Sequence, residues 1–218
     1  MKNIIKKLEL YSKKHNKNIN EKCNCNCCDN LVCISKSTKT IESMRYLNMK
    51  INKLDLSKNT NLTKINAFAF ANCNIKKLKL PSSIDEITNY AFSHNAIKFL
   101  DISNCINLKK IDSFSFSENR IEDIRLPNEI NTIKIGALKK NNIKKLDLSN
   151  NIKLEKIEDY AFSNNPLKKI KILDNINIIY DNKLKGDAWN EFAKYYNDNN
   201  KKEGDYKLEN YEWQWYPL

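Results

Sequence analysis

The chain has very little of what catalysis or membrane insertion usually requires. Glycine occurs only three times, at Gly136, Gly186 and Gly204, so no glycine-rich loop can cradle a phosphate with its backbone N–H groups. Histidine occurs twice, at His15 and His94, leaving little material for proton transfer near neutral pH. His94 sits beside Asn95 at a turn, where a solvent-facing role is the simpler reading than a general base. No apolar stretch approaches the ~20 residues of a membrane span. The start, Met1 to Tyr11, has no apolar segment of signal-peptide length. Metalloprotease, nucleophile-elbow and P-loop patterns are all missing. These absences lead us to expect a soluble, cytoplasmic protein that is not an enzyme and needs no cofactor. Acidic groups are also short, 26 against 38 lysines and arginines, for a net charge of +12. A surplus of lysine, asparagine and isoleucine follows from AT-rich coding sequence, so it says little about nucleic acid. It does favour acidic partners over basic ones.

What the chain has is repetition. Six segments begin at Ile51, Ile75, Ile97, Ile121, Ile143 and Leu167, spaced by 24, 22, 24, 22 and 24 residues. The repeating unit is therefore a pair of turns. Odd turns read Ile51-x-x-Leu54-x-Leu56-x-x-Asn59, Ile97-x-x-Leu100-x-Ile102-x-x-Cys105 and Ile143-x-x-Leu146-x-Leu148-x-x-Asn151. The alternating aliphatics predict a short strand with one buried face, and the Asn or Cys an inward group that satisfies backbone where the chain turns. Even turns place Leu80-Pro81 and Leu126-Pro127 there, and proline ends the strand. A second apolar set follows in each turn and ends in Phe70, Phe92, Phe116, Leu138 and Phe162, which should stack into a spine. Cys73, Asn95, Asn119, Asn141 and Asn165 then mark a second inward polar position, in irregular or short helical structure.

The odd-turn pattern is the signature of leucine-rich repeats. Ile75 to Phe92, together with Tyr90-Ala91-Phe92 and Tyr160-Ala161-Phe162, resembles the BspA-like branch of that family. The turn from Ile121 departs from it with Gly136-Ala137-Leu138, which should pack more loosely. The resemblance covers about residues 31 to 182. It implies an α/β solenoid: a right-handed coil with a parallel sheet on the concave face. It also implies a role in binding, since members of that branch are mostly surface or secreted adhesion and interaction proteins.

Both ends of a solenoid must be capped. Ile4, Ile5, Leu8 and Tyr11 lie on one helical face, so residues 1–30 read as a helical, cysteine-rich cap. Leu31 to Ile34, with Ile41 and Met44, reads as a degenerate even turn, which opens a repeat region of 31–182. Residues 183–218 read as an aromatic cap. It contains a helix over Gly186 to Tyr196, then two strands, Tyr206 to Leu208 and Tyr211 to Tyr216, about Glu209-Asn210. Its aromatics should seal the edge. Cys23, Cys25, Cys27, Cys28 and Cys33 are dense enough to hold zinc or copper(I) as thiolates. They lack paired C-x-x-C spacing, and a loop of reduced cysteines is the simpler expectation. Cys73 and Cys105 stand where sister turns carry asparagine and are structural.

The exposed strand face remains for function. One row of outward residues alternates in sign: Asp55, Lys79, Asp101, Arg125, Asp147 and Lys171. It reads as a self-neutralising ladder, and a phosphate-binding track would not place aspartate at every second position. The row two residues earlier is net basic, Lys53, Lys77, Phe99, Asp123, Lys145 and Lys169, with one exposed aromatic near its middle. Phe99 is either an interface centre or a ring packed over lysine stems. We expect a monomer that binds a protein partner on this face. Two alternatives are polyanion binding through Lys76-Lys77, Lys144-Lys145 and Lys168-Lys169, and metal binding through the cysteine cluster.

Overall fold

A computed structural model of the chain describes residues 32, 34–181, 183–210 and 212–217. The expected N-terminal cap and Cys23, Cys25, Cys27, Cys28 and Cys33 lie outside these residues. Each turn contributes two short strands to two parallel rows, numbered in chain order. One row holds β1 (Thr40–Ile41), β3 (Lys64–Ile65), β5 (Glu86–Ile87), β7 (Lys110–Ile111), β9 (Thr132–Ile133), β11 (Lys156–Ile157) and β13 (Asn177–Ile178). The other, on the concave face, holds β2 (Lys53–Asp55), β4 (Lys77–Lys79), β6 (Phe99–Asp101), β8 (Asp123–Arg125), β10 (Lys145–Asp147) and β12 (Lys169–Ile172). The first row was not anticipated as strand, because each member is only two residues long.

Concave strands pair in couplets, β2 with β4, β6 with β8 and β10 with β12, so on this face the two-turn sequence unit is also the hydrogen-bonding unit, whereas the other row runs on across the couplets, as from β9 to β11. Leu54, Leu100 and Leu146 of the odd turns are buried, whereas Leu78 and Ile124 of the even turns are only half-buried. The inward asparagines behave as expected. Asn95 accepts from the Cys73 and Ile75 N–H groups at 3.1 and 2.9 Å and donates to the Phe70 and Phe92 carbonyls at 2.8 and 3.0 Å. Asn119, Asn141 and Asn165 each bridge in the same way to the preceding turn. Such buried backbone groups would otherwise go unsatisfied. Asn59 and Asn151 do the same near the strand ends, each donating to a carbonyl one turn back.

The spine forms as predicted and begins one turn earlier. Tyr46 stacks on Phe70, Phe70 on Phe92 and Phe92 on Phe116, with centroids 5.0, 5.4 and 5.4 Å apart. Outside it runs a second, half-buried stack of Phe68, Tyr90 and Phe114, at 4.7 and 4.9 Å. The residues of this stack have left-handed backbone (φ 57, 59 and 56°), and so does the residue four positions on in each turn, Asn72, His94 and Glu118. Between these two positions, alternate N–H groups donate to the next turn: Phe68 to Asn89, Phe70 to Ala91 and Asn72 to Ser93. These bonds stabilise a conformation that costs an aromatic residue on the order of 1 kcal/mol or more. The turn from Ile121 is not loose, contrary to expectation. Gly136 occupies the stack position (φ 60°), and the Phe114 ring lies where its Cβ would be.

The C-terminal cap closes the stack through both sheet and spine. Helix α1 (Ala188–Asp198) is capped by Asp187, which accepts from the Asn190 N–H at 2.9 Å. It places Trp189 against Phe162 at 4.8 Å, so the spine continues into the cap. The hairpin of β14 (Gly204–Glu209) and β15 (Glu212–Tyr216) then adds two antiparallel strands to β12. The concave sheet thus gains two further strands. The cap aromatics interlock: Phe192 meets Trp189, Tyr196, Tyr206 and Trp213 within 5.8 Å. Sealing the edge is what they do.

Candidate interaction face

Period-two alternation brings all the sequence-predicted face residues to one side of the concave strands. In the alternating row, each aspartate is first committed to its own chain. Asp55 accepts from the Ser57 N–H and hydroxyl at 3.1 and 2.6 Å, and Asp101 and Asp147 hold Ser103 and Ser149 in the same way. This Asp-x-Ser turn ends the concave strand of every odd turn, β2, β6 and β10, and the motif is visible in the sequence. The Ser57 hydroxyl above all, helped by the Lys79 and Lys53 ammonium groups, holds the Asp55 carboxyl below the usual carboxylate range. Across each couplet the expected opposite charge is present. Lys79 lies 4.0 Å from Asp55, and Arg125 lies 3.7 Å from Asp101. The ladder therefore resolves into couplets instead of running unbroken. These pairs are exposed and contribute little to stability, under ~1 kcal/mol each.

The second row is organised differently. Lys53 stands directly opposite Lys77, Phe99 opposite Asp123, and Lys145 opposite Lys169. Lys53, Lys77, Asp123 and Lys145 are exposed and belong to no ion pair among the described residues. Lys169 pairs with Asp205 of β14 at 2.7 Å. Phe99 is 46% exposed, and the Arg125 guanidinium lies over its ring, 5.5 Å from the centroid. The hairpin extends both rows. Lys207 comes opposite Lys169 and Asp205 opposite Lys171, with Gln214 and Tyr216 on the last strand. Alternation around Tyr206 marks a strand in the sequence, but nothing local marks the strand beside which it lies. Of the lysine pairs, Lys76, Lys144 and Lys168 are also exposed, one position before the concave rows.

Elsewhere little chemistry is assembled. Among the described residues, no group of three or more His, Cys, Asp or Glu side chains could hold a metal ion. Burial pushes the Cys73 and Cys105 thiols up to about 12 and about 11, which removes them as nucleophiles near neutral pH. Cys73 donates to the Tyr46 carbonyl at 2.8 Å, replacing the asparagine of its sister turns. His94 lies 3.1 Å from Glu118, which also takes Lys140 at 3.2 Å, as part of a polar ridge of left-handed residues. No helix among the described residues is long and apolar enough to cross a membrane.

The chain is similar to a solved leucine-rich repeat protein from Bacteroides ovatus, with 18% identity over 67% of this chain and a TM-score of 0.33. The likeness spans half of that protein's length. No curated protein matches the chain. A model of the BspA type leucine rich repeat region, in 6 copies, matches residues 17–107 and 63–188. With most of its length accounted for by that repeat, and with the stacked turns, inward asparagines and aromatic spine described above, the chain belongs to the BspA-type leucine-rich-repeat family.

Proposed function

We propose that this protein is a non-enzymatic interaction module that docks a protein partner on its concave strand face, centred on Phe99. The observation that carries this reading is the exposed ring of Phe99, in a row otherwise made of charged residues. A solvent-facing aromatic there returns little packing energy to the fold. Aromatic residues ringed by polar ones are common energetic centres of interfaces, where truncation costs ~2 kcal/mol or more. Arg125, held by Asp101 and lying over the ring, would keep Phe99 in place before a partner arrives. The surrounding charges would set orientation and encounter rate more than affinity.

The test is capture from an extract of the source cells by immobilised protein, comparing the parent with Phe99→Ala and with Lys77→Glu/Lys145→Glu. A protein recovered by the parent should be lost or strongly reduced with both variants, at unchanged circular dichroism. Control substitutions of the exposed Ile106 and Ile152, on loops beyond the strands, should leave capture intact. Loss only with the loop variants would place the site away from this face. Capture of nucleic acid that falls away steeply with salt would instead support the polyanion reading.

A further inference from the structure

The two concave rows differ in how they treat charge, and that difference describes a partner. In one row every charge has an opposite charge across its couplet. In the other, two of three couplets set lysine directly against lysine, Lys53 against Lys77 and Lys145 against Lys169. Like charges directly opposite on neighbouring strands are destabilising. The same sheet neutralises its charges two residues away, so the backbone does not force the clash. At the cap end Lys207 is added opposite Lys169, and only there does an acid, Asp205, intervene. Between the lysine couplets stands a single couplet of another kind, Phe99 opposite Asp123. Read across the strands, the row is symmetric: two lysines, an aromatic ring with a carboxylate, two lysines.

We propose that this row receives an extended segment of a partner protein, acidic at both ends and carrying one basic side chain at its centre. The inference rests on the concave-face reading above and specifies its partner. Lys53, Lys77 and Lys145 leave their charges for carboxylates that come from outside, whereas Lys169 already has Asp205. Asp123, exposed and in no ion pair among the described residues, offers a counter-charge to a Lys or Arg side chain, beside the Phe99 ring over which Arg125 already lies. The dimensions agree. The centres of the two lysine couplets are four strand steps apart, ~19 Å at ~4.8 Å per step, the span of about six residues of extended chain. A uniform polyanion would meet repulsion at the midpoint from Asp123 and from Glu122 beside it. The same arrangement therefore argues for a protein segment over nucleic acid.

The test uses the full-length protein and labelled synthetic peptides, read by fluorescence anisotropy. The first probe is Glu-Glu-Ser-Lys-Ser-Ser-Glu-Glu, the second has glutamate in place of its lysine, and the third carries the same residues in scrambled order. An oligothymidylate of similar charge is the fourth. The first peptide should bind at least about tenfold more tightly than the others, the size of one lost charge pair. Asp123→Lys should reverse the order of the first two peptides, and Lys77→Glu/Lys145→Glu should abolish binding of both. Equal affinity for the first two peptides in the parent, tighter binding of oligothymidylate, or no binding of any peptide overturns the inference. Should Asp123→Lys leave the peptide order unchanged while Phe99→Ala still abolishes capture from extract, the concave-face reading stands and this refinement of it falls.

Discussion

Gly136 is the one stack position without a side chain, and its neighbour has moved in to use the space. The left-handed backbone cannot be the main reason for glycine there, since Phe68, Tyr90, Phe114 and Tyr160 adopt the same φ in sister turns. The Phe114 ring is the reason, and it can yield only by leaving its stack on Tyr90. Gly136→Ala should therefore cost ~1–3 kcal/mol, the range for overpacking a filled site. In a Phe114→Ala background the same change should cost clearly less. Urea denaturation of the four proteins measures this, and equal costs in both backgrounds would clear the ring of responsibility. Cys73 allows a different test. Its thiol is raised from an ordinary 9.0 to about 12 by burial, so above pH 9 the unfolded chain releases this proton while the folded chain keeps it. Its contribution to stability is present in full below pH 9 and is lost progressively between pH 9 and about 12. Cys73→Asn, the residue used by sister turns, should make the decline between pH 8 and 10.5 shallower. The buried Tyr196, also pushed up to about 12, would still contribute to the slope in both proteins.

At the scale of elements, the spine and the inward amides form one continuous unit. Phe116 is fully buried, stacks on Phe92, and its carbonyl receives the Asn119 and Asn141 amides at 3.2 and 3.0 Å. Phe116→Ala should cost ~3–5 kcal/mol, with the cavity falling in the middle of the stack. A loss below ~1 kcal/mol by chemical denaturation would mean that the stack closes over the gap. Most of this architecture was legible beforehand, because each turn repeats its neighbour and a periodic code states its own packing. The strand triplets, Asn95, Asn119, Asn141 and Asn165, and the ring positions Phe70, Phe92, Phe116 and Phe162 all follow from the 24/22 alternation. What escaped is what the repeat does not encode. Tyr46 lies in a turn too degenerate to align by eye. Many of the left-handed positions are filled by Phe, Tyr, Glu and Lys, residues that do not advertise that conformation as Asn72, His94 and Gly136 do. The hairpin's place beside β12 depends on pairing between non-repeating segments, and Arg125 over Phe99 depends on side-chain geometry across strands. At the candidate site, the residues of both rows could be named from sequence, whereas the pairing of like and unlike charges by couplet could not.

For the whole molecule, the C-terminal cap carries a load that the repeats cannot carry alone. It pairs the last concave strand and covers Phe162 with Trp189, so without it β12 and the spine would both face water. Removing residues 183–218 should yield a protein that aggregates or loses its cooperative transition, as light scattering and thermal melts would show. A truncated chain that stays monomeric and equally stable would contradict the capping role. The couplet has a further consequence, for inheritance. Since the concave strands bond in odd–even pairs and the two kinds of turn differ in length, a gene can lengthen or shorten this array safely only by a whole pair. Deletion of residues 97–142, one 46-residue pair, should leave a shorter protein that still folds. Deletion of residues 97–120 alone would set an even turn on an even turn, and should not. The tolerated deletion also removes Phe99 and Asp123 together, bringing the two lysine couplets side by side. In descendants of this gene, a single crossover event would change array length and binding preference at once.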